Sequence, residues 1–251
     1  MPAYNEAGRI TTVLRAASAA QLVDEIVVVT DGCQDTTAHE ARGFAALIEK
    51  GAVKGARRIP VRVIELEDNI GKGGAMTHGA LRTEADVLLF LDADLIGLQP
   101  SQVDDLLRPC LEGPHRADMT LGLFGAVRGG LVGWWMGWCH RRIAAITGQR
   151  AIRRDVYLAV PGLTHSRFGV ETAITRYVKH AWKLKVENVY IHSVTHPMKE
   201  EKIGVWRGAR HRMAMYWEIV TYIMWDGVRQ KTSARRRAEC VAMRQRFGGR
   251  L

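Results

Sequence analysis

The amino-acid sequence predicts an α/β domain built on a mostly parallel sheet with helices on both faces. Up to residue 111, short apolar runs alternate with longer segments in which apolar residues recur at helical spacing. This alternation favours parallel strands joined by helical crossovers. Polar clusters follow these runs, and loops after parallel strands meet at one edge of the sheet, where ligands bind.

Three runs predict strands. Residues 25–30 are apolar and β-branched and lead into Asp31, which predicts a buried strand with a loop at its carboxyl end. Residues 61–66 alternate in polarity and predict the next strand, and the apolar run 85–91 predicts the third. Residues 2–6 have the character of a loop after a strand, yet no strand precedes them, so we expect the first strand to be missing or truncated.

Five segments predict helices. Residues 9–20 carry one apolar stripe, formed by Ile10, Val13, Leu14 and Ala17. Segments 36–50, 71–81 and 100–111 follow the three strands, and Ser101 is a candidate cap for the last of them. A later helix is expected to start near Glu171 and to end at Trp182.

The bulk composition limits the class of protein. The 251 residues are 47% hydrophobic and 25% charged, as in ordinary globular proteins, and we expect a domain at 1–225 and a basic tail at 226–251. The net charge of +10 favours a polyanionic partner: nucleic acid, an anionic membrane or a phosphorylated substrate. The four cysteines lack the spacing of a zinc site or disulfide frame, so we expect reduced thiols in a cytoplasmic protein.

No apolar run is long enough to predict a transmembrane helix. The apolar stretches 129–139 and 213–225 are short or interrupted and are flanked by arginine, so peripheral contact with a membrane and burial in the core both remain open.

The sharpest chemical signal is the acidic pair Asp92 and Asp94 at the end of the third predicted strand. Two carboxylates one residue apart can share a divalent cation, and hard oxygen ligands suit Mg²⁺ or Mn²⁺. Such a cation can offset the charge on a departing diphosphate. We therefore predict a metal and diphosphate site here.

Two further clusters are expected at the same edge of the sheet. Residues 69–74 form a glycine-rich turn with Lys72, which can bring backbone amides and a cation to an anion but lacks the spacing of a P-loop. Asp31 can accept a hydrogen bond from a base or a ribose, or cap the next helix. Asp35 is the stronger candidate for that cap.

The second half of the chain offers a candidate base and candidate ligands. Glu171 can act as a general base for an acceptor hydroxyl or stabilise the start of its helix. His192 and His196 would share one face of a strand. Several arginines suggest a phosphorylated acceptor: Arg141, Arg142, Arg150, Arg153 and Arg154.

Four motifs occur in a fixed order, at 2–6, 31–36, 69–73 and 91–94. Together they resemble the family 2 glycosyltransferases, which have the GT-A fold, and above all the dolichol-phosphate-mannose-synthase-like and glucosyl-3-phosphoglycerate-synthase-like groups. In the second motif Cys33 stands where the family usually has serine. The resemblance implies a nucleotide-binding half at 1–100 and an acceptor half at 101–225.

The resemblance also implies roles for individual residues. The nucleoside would be held by Ala3, Tyr4, Glu6 and Asp31, with Lys72 near the base or the phosphates. Asp94 would be the main metal ligand, Asp92 would contact ribose or metal, and His196 would complete the metal shell. Glu171 would lie near the acceptor, whose pocket would be lined by Gly148, Gln149 and Arg150.

The implied reaction is a metal-dependent transfer of a sugar from a nucleoside-diphosphate sugar, of the UDP-glucose or GDP-mannose type, to a phosphorylated acceptor. Polyprenyl phosphate and phosphoglycerate are the two candidate acceptors, and retention or inversion is open. Nucleotidylyl transfer is a rival, although residues 2–8 lack the glycine- and arginine-rich loop that it normally shows. A basic nucleic-acid-binding module also fits the charge, but acidic clusters at the strand ends argue against a polyanion there without a metal.

Overall fold

The computed structural model describes residues 1–124, 147–165 and 169–195, together with 242, 243 and 246. The strands are β1 (Pro2–Ala3), β2 (Ile26–Asp31), β3 (Val61–Leu66), β4 (Val87–Phe90), β5 (Met119–Phe124), β6 (Arg150–Arg153) and β7 (Val186–Ile191). The helices are α1 (Ile10–Ala19), α2 (Thr37–Glu49), α3 (Lys72–Ala80), α4 (Pro100–Leu111), α5 (Arg154–Ala159) and α6 (Val170–Thr175). A 3₁₀ turn spans Leu163–His165, and a π-helical segment, Arg176–Ala181, follows α6.

The strands form two sheets. In the first, β1, β2 and β3 are parallel, and β2 pairs with β3 over its full length, from Ile26 opposite Val61 to Asp31 opposite Leu66. In the second, the order is β4-β6-β5-β7, with β5 and β7 parallel and β6 antiparallel to both of its neighbours. The predicted α/β architecture is confirmed, and the antiparallel β6 is an addition to it.

The first strand of the sheet, which was expected to be missing or truncated, is β1, and it is two residues long. It pairs with β2. A cavity of about 320 Å³ lies between the two sheets, lined on one side by Val27 and Val29 of β2 and on the other by Leu89 of β4.

The predicted elements agree with the observed ones to within two residues at each end up to residue 111. The predicted cap of α4, in contrast, differs from the observed one. Ser101 lies inside the first turn, and the residue before the helix is Gln99, whose N–H donates to the Gln102 side chain at 2.9 Å. Pro100 occupies the first helical position, where its missing N–H costs nothing. The helix starting near Glu171 is also shorter than expected, because it changes to π-helical geometry at Arg176.

Two hydrophobic clusters form the core. The first joins α1 and α2 on the first sheet to α4 on the second sheet and includes the fully buried Ile10, Val13 and Leu106. The second packs α3, α5 and α6 against the second sheet, and the half-buried Met243 from the C-terminal segment packs against it. Within the described ranges, no helix is both long and apolar enough to cross a bilayer.

Candidate active site

The acidic pair lies directly beyond β4, where the chain turns at Ala93 and Asp94. Leu91, Ala93 and Leu95 are buried, whereas Asp92 and Asp94 between them are partly exposed. Both acidic residues are therefore accessible to solvent, while the buried residues on either side anchor their backbone in the core. Both acidic side chains thus follow the apolar strand directly, and their binding of a metal and diphosphate stays a prediction.

Lys72 is the cation of this site. It is the first residue of α3, and its Nζ lies 2.6 Å from Asp92 Oδ1 and 2.5 Å from Glu171 Oε1. Burial by itself would lower the pKa of the Lys72 ammonium, but the charges of Asp92 and Glu171 outweigh it and raise that pKa above its ordinary value. Lys72 therefore stays charged and links the two halves of the described chain.

Asp31 holds the glycine-rich turn. Its carboxylate is almost fully buried and accepts the N–H of Ile70 at 2.8 Å and the N–H of Gly71 at 2.9 Å. Gly71 has a φ of 87°, a left-handed conformation that favours glycine. The anion that these two amides face is therefore Asp31 itself, so they are occupied within the protein and not by a substrate phosphate. Asp31 also does not cap α2, and the N–H of Thr37 donates to Asp35 instead.

The N-terminal loop lies against the loop after β2. The Asn5 side-chain oxygen accepts the N–H of Gln34 at 2.9 Å, and the N–H of Glu6 donates to Thr37 Oγ1 at 2.8 Å. Ala3 is buried, whereas Tyr4 is 48% exposed and free to stack on a ligand. The structure thus gathers the residues expected to hold a nucleoside on two touching loops.

Gln149 completes the environment of Asp92. It is fully buried, and its Nε2 donates to Asp92 Oδ2 at 2.9 Å. Gly148 lies so close to the same carboxylate that an added Cβ would be only 2.7 Å from Asp92 Cγ. Both residues were expected to line an acceptor pocket, and the structure adds a direct contact with the acidic pair.

Arg150 and Glu171 belong to one buried unit. Arg150 is fully buried and donates from Nη1 to the Glu171 carbonyl at 3.0 Å. Burial lowers the pKa of the Arg150 guanidinium to about 10, against the opposing charges of Glu171 and Asp92, so it remains a cation at neutral pH. The Glu171 carboxylate is 7% exposed and points to Lys72.

Some expected site residues lie elsewhere. His196, Arg141 and Arg142 fall outside the described residues. Arg153 pairs with Val87 at the start of β4, whereas Arg150 pairs with Phe90 at its end, so Arg153 lies at the far end of the strand from the acidic pair. Arg153 is bound there by Asp118 and Asp155, and Arg154 by Glu84. Both arginines are therefore engaged away from the acidic pair, and their role with an acceptor stays a prediction.

The two carboxylates of the acidic pair suit a divalent cation, but they do not fill its coordination shell by themselves. In the described ranges, no group of three or more His, Cys, Asp or Glu side chains is arranged to hold a metal. Asp92 and Asp94 offer carboxylate oxygens, which suit Mg²⁺ or Mn²⁺, and such ions complete their shell with water and substrate phosphates. The donor set fits a cation that is held jointly with a substrate.

The link between Lys72, Asp92 and Glu171 is the feature that sequence reasoning missed. Each residue was a candidate, but Lys72 and Glu171 are 99 positions apart in the chain and no local spacing pattern connects them. Their approach depends on the antiparallel β6, which brings α6 back to the end of β4.

The chain matches a known protein family and is similar to characterised proteins. Residues 1–177 match the family model "Glycosyl transferase family 2". Over 103 residues the chain is 39% identical to dolichyl-phosphate beta-glucosyltransferase of Drosophila melanogaster, which covers 38% of this chain and 29% of that protein. Over 115 residues it is 32% identical to glucosyl-3-phosphoglycerate synthase of Mycobacterium tuberculosis, covering 45% of this chain and 33% of that protein. The matches thus span about a third of these relatives.

The fold is also found in solved structures. A structure of the Mycobacterium tuberculosis glucosyl-3-phosphoglycerate synthase, in complex with Mn²⁺, uridine-diphosphate and glucosyl-3-phosphoglycerate, superposes with a TM-score of 0.59 at 22% identity. The match covers 86% of this chain and 76% of that one. Another structure of the same protein holds Mg²⁺ and uridine-diphosphate, with a TM-score of 0.57. Since the family model spans more than two thirds of the sequence, the chain belongs to glycosyl transferase family 2.

Proposed function

We propose that this protein transfers a hexose from a nucleoside-diphosphate sugar, of the UDP-glucose type, to a phosphorylated acceptor. The observation that carries the proposal is the array of Asp92, Lys72 and Glu171 at the carboxyl edge of the sheets, beside the loop that Asp31 holds. Two glucosyl-transferring relatives favour glucose as the sugar, and a GDP-mannose-type donor is the second candidate.

The donor half of the site consists of the two touching loops and the acidic pair. Tyr4 and Glu6 lie beside the loop after β2, and Asp31 fixes the turn that leads into Lys72. Ala3, which precedes Tyr4, is buried as part of the core. A nucleoside on these loops would direct its diphosphate towards Asp92 and Asp94, where a cation is needed because two carboxylates would otherwise repel the phosphates.

Asp92 and Asp94 would hold Mg²⁺ or Mn²⁺, with His196 as the candidate third ligand. When bound, the ion supplies Lewis-acid stabilisation of the leaving diphosphate. Lys72 adds a positive charge that is held in place before substrate arrives. This preorganisation supports departure of the nucleoside diphosphate while an acceptor oxygen attacks the anomeric carbon.

Glu171 supports the acceptor side. Its carboxylate lies next to Lys72, in reach of the same space as Asp92, so it can orient an acceptor hydroxyl or take its proton. Both relatives act, by their names, on phosphorylated or phosphate-linked acceptors, and this favours phosphoglycerate or polyprenyl phosphate here. A polyprenyl acceptor would bring the protein to a membrane surface.

The test is turnover with purified protein and a panel of UDP- and GDP-sugars, with Mn²⁺ or Mg²⁺. Nucleoside-diphosphate release is measured alone, with 3-phosphoglycerate, and with polyprenyl phosphate in detergent. We expect metal-dependent release that one acceptor stimulates. Release of pyrophosphate from a nucleoside triphosphate with a sugar phosphate, or no turnover of any nucleotide sugar, would contradict the proposal.

A further inference from the structure

We infer that the turn 147–150 positions the carboxylates of Asp92 and Glu171, and that Arg150 is a positioning residue for this reaction, not a ligand of the acceptor. The kinetic part of this inference rests on the proposed function, and the structural part does not.

Arg150 directs its donors into the protein. Its side chain is fully buried, Nη1 donates to the Glu171 carbonyl at 3.0 Å and to Thr175 Oγ1 at 3.2 Å, and Nη2 donates to the Thr147 carbonyl. The remaining Nε is buried without a partner. To bind a phosphate, this guanidinium would have to break its hydrogen bonds to the protein. It is therefore not available as a phosphate ligand.

The acceptors of Arg150 fix the start of α6. The Glu171 carbonyl also accepts the Thr175 hydroxyl at 2.9 Å, so Arg150, Thr175 and Glu171 form a closed triangle of hydrogen bonds. The α-helical part is six residues long before it changes to π-helical geometry at Arg176, and so short an α-helical segment depends on contacts from outside itself. Arg150 therefore controls where the Glu171 backbone lies, and with it the carboxylate.

Gln149 and Gly148, the residues before Arg150, fix the carboxylate of Asp92. Gln149 donates to Asp92 Oδ2 at 2.9 Å, and Gly148 packs directly against the same carboxylate. Successive residues of one turn thus hold Asp92 on one side and the Glu171 helix on the other. Lys72 lies between the carboxylates of Asp92 and Glu171 and contacts both.

The chain offers a matched pair of substitutions on one helix. Thr175→Val removes the hydroxyl that joins Arg150 to the Glu171 carbonyl and keeps the shape of the side chain. Thr172→Val removes a hydroxyl that is equally buried but has no hydrogen-bond partner. Arg150→Lys keeps the charge but loses the fork of donors.

Steady-state kinetics test the catalytic part. We expect Thr175→Val and Arg150→Lys to lower kcat by about tenfold or more, with the KM of donor and acceptor within about twofold, since misplaced groups slow the chemical step. Thr172→Val should match the wild type. If Arg150→Lys instead raises the KM of the acceptor tenfold while Thr175→Val leaves all constants unchanged, Arg150 is an acceptor ligand and the inference is overturned.

Hydrogen exchange tests the structural part without any substrate. The peptide that contains 170–175 should exchange faster in Thr175→Val and Arg150→Lys than in the wild type and Thr172→Val, since these contacts hold a short helix. Unchanged exchange in both variants would overturn the positioning role even if the protein turned over no sugar nucleotide. Failure of the proposed function would leave this exchange pattern intact, so the two failures are distinguishable.

Discussion

The ammonium of Lys72 lies between two carboxylates, 2.6 Å from Asp92 Oδ1 and 2.5 Å from Glu171 Oε1. Asp92 follows β4 in the first half of the chain, and Glu171 lies on α6 in the second. Lys72 therefore pairs with two acidic groups that the fold brings together from separate parts of the chain. The Lys72 side chain as a whole is a quarter exposed.

Replacing Lys72 should damage both stability and turnover. Lys72→Met leaves Asp92 and Glu171 without their shared cation, and we expect a loss of about 2 kcal/mol in the free energy of unfolding, the scale of a hydrogen bond to a charged group. We expect kcat to fall about 100-fold, as when a preorganised charge is removed from a leaving group. Urea denaturation and steady-state kinetics measure the two effects. Lys54→Met, at an exposed lysine, is the control and should change neither.

The stability contributed by Lys72 should not depend on pH between 7 and 10. Because the pKa of Lys72 is raised in the folded protein, its contribution is fully present below the unfolded value of 10.5 and is lost only as pH rises through the folded pKa. The difference in melting temperature between the wild type and Lys72→Met should therefore stay constant across that range. A difference that shrinks between pH 8 and 10 would show that Lys72 loses its proton earlier.

Asp94 should be needed for metal-dependent turnover but not for folding. It is partly exposed on a backbone that Ala93 and Leu95 anchor in the core, so Asp94→Ala removes a ligand without removing packing. We expect turnover to be lost at all Mn²⁺ concentrations while the far-UV circular dichroism spectrum is unchanged. Asp105→Ala, at an exposed position on α4, should retain turnover. Full activity of Asp94→Ala would contradict the proposed metal site.

The strands and helices up to residue 111 could be predicted because their signals are local. The β-branched run before Asp31 and the helical stripe of α1 each appear within a dozen residues, and the observed bounds follow them closely. The acidic pair was predicted for the same reason, since it directly follows an apolar strand.

What could not be predicted depends on contacts between distant residues. Asp31 had two expected roles, and neither included the amides of Ile70 and Gly71, which lie on another loop. Arg150 and Arg153 looked equivalent in sequence, but they lie at opposite ends of β6, one beside the acidic pair and one far from it. Their difference is set by the antiparallel register with β4, for which the sequence carries no short-range signal.

Asp31→Asn should weaken both the fold and donor binding. Each carboxylate oxygen accepts one backbone N–H, from Ile70 and Gly71, and an amide would place its own NH₂ against one of them. We expect a loss of about 1–3 kcal/mol in the free energy of unfolding, the cost of leaving a buried donor without an acceptor. The donor KM should rise because the turn before Lys72 shifts. Asp24→Asn, at an exposed aspartate, controls for the charge change.

Gly148→Ala should reduce activity through Asp92. The added methyl carbon would be 2.7 Å from Asp92 Cγ, so the carboxylate must move and loses its contact with Gln149 or Lys72. We expect kcat to fall about tenfold or more, as for other displacements of groups at a reacting centre. Gly43→Ala is the matched control, because its Cβ meets nothing within 4 Å and lies inside α2. That variant should gain about 0.5–1 kcal/mol in the free energy of unfolding from helix propensity and keep wild-type kinetics. Equal kcat values for the two alanine variants would show that the Asp92 carboxylate tolerates displacement.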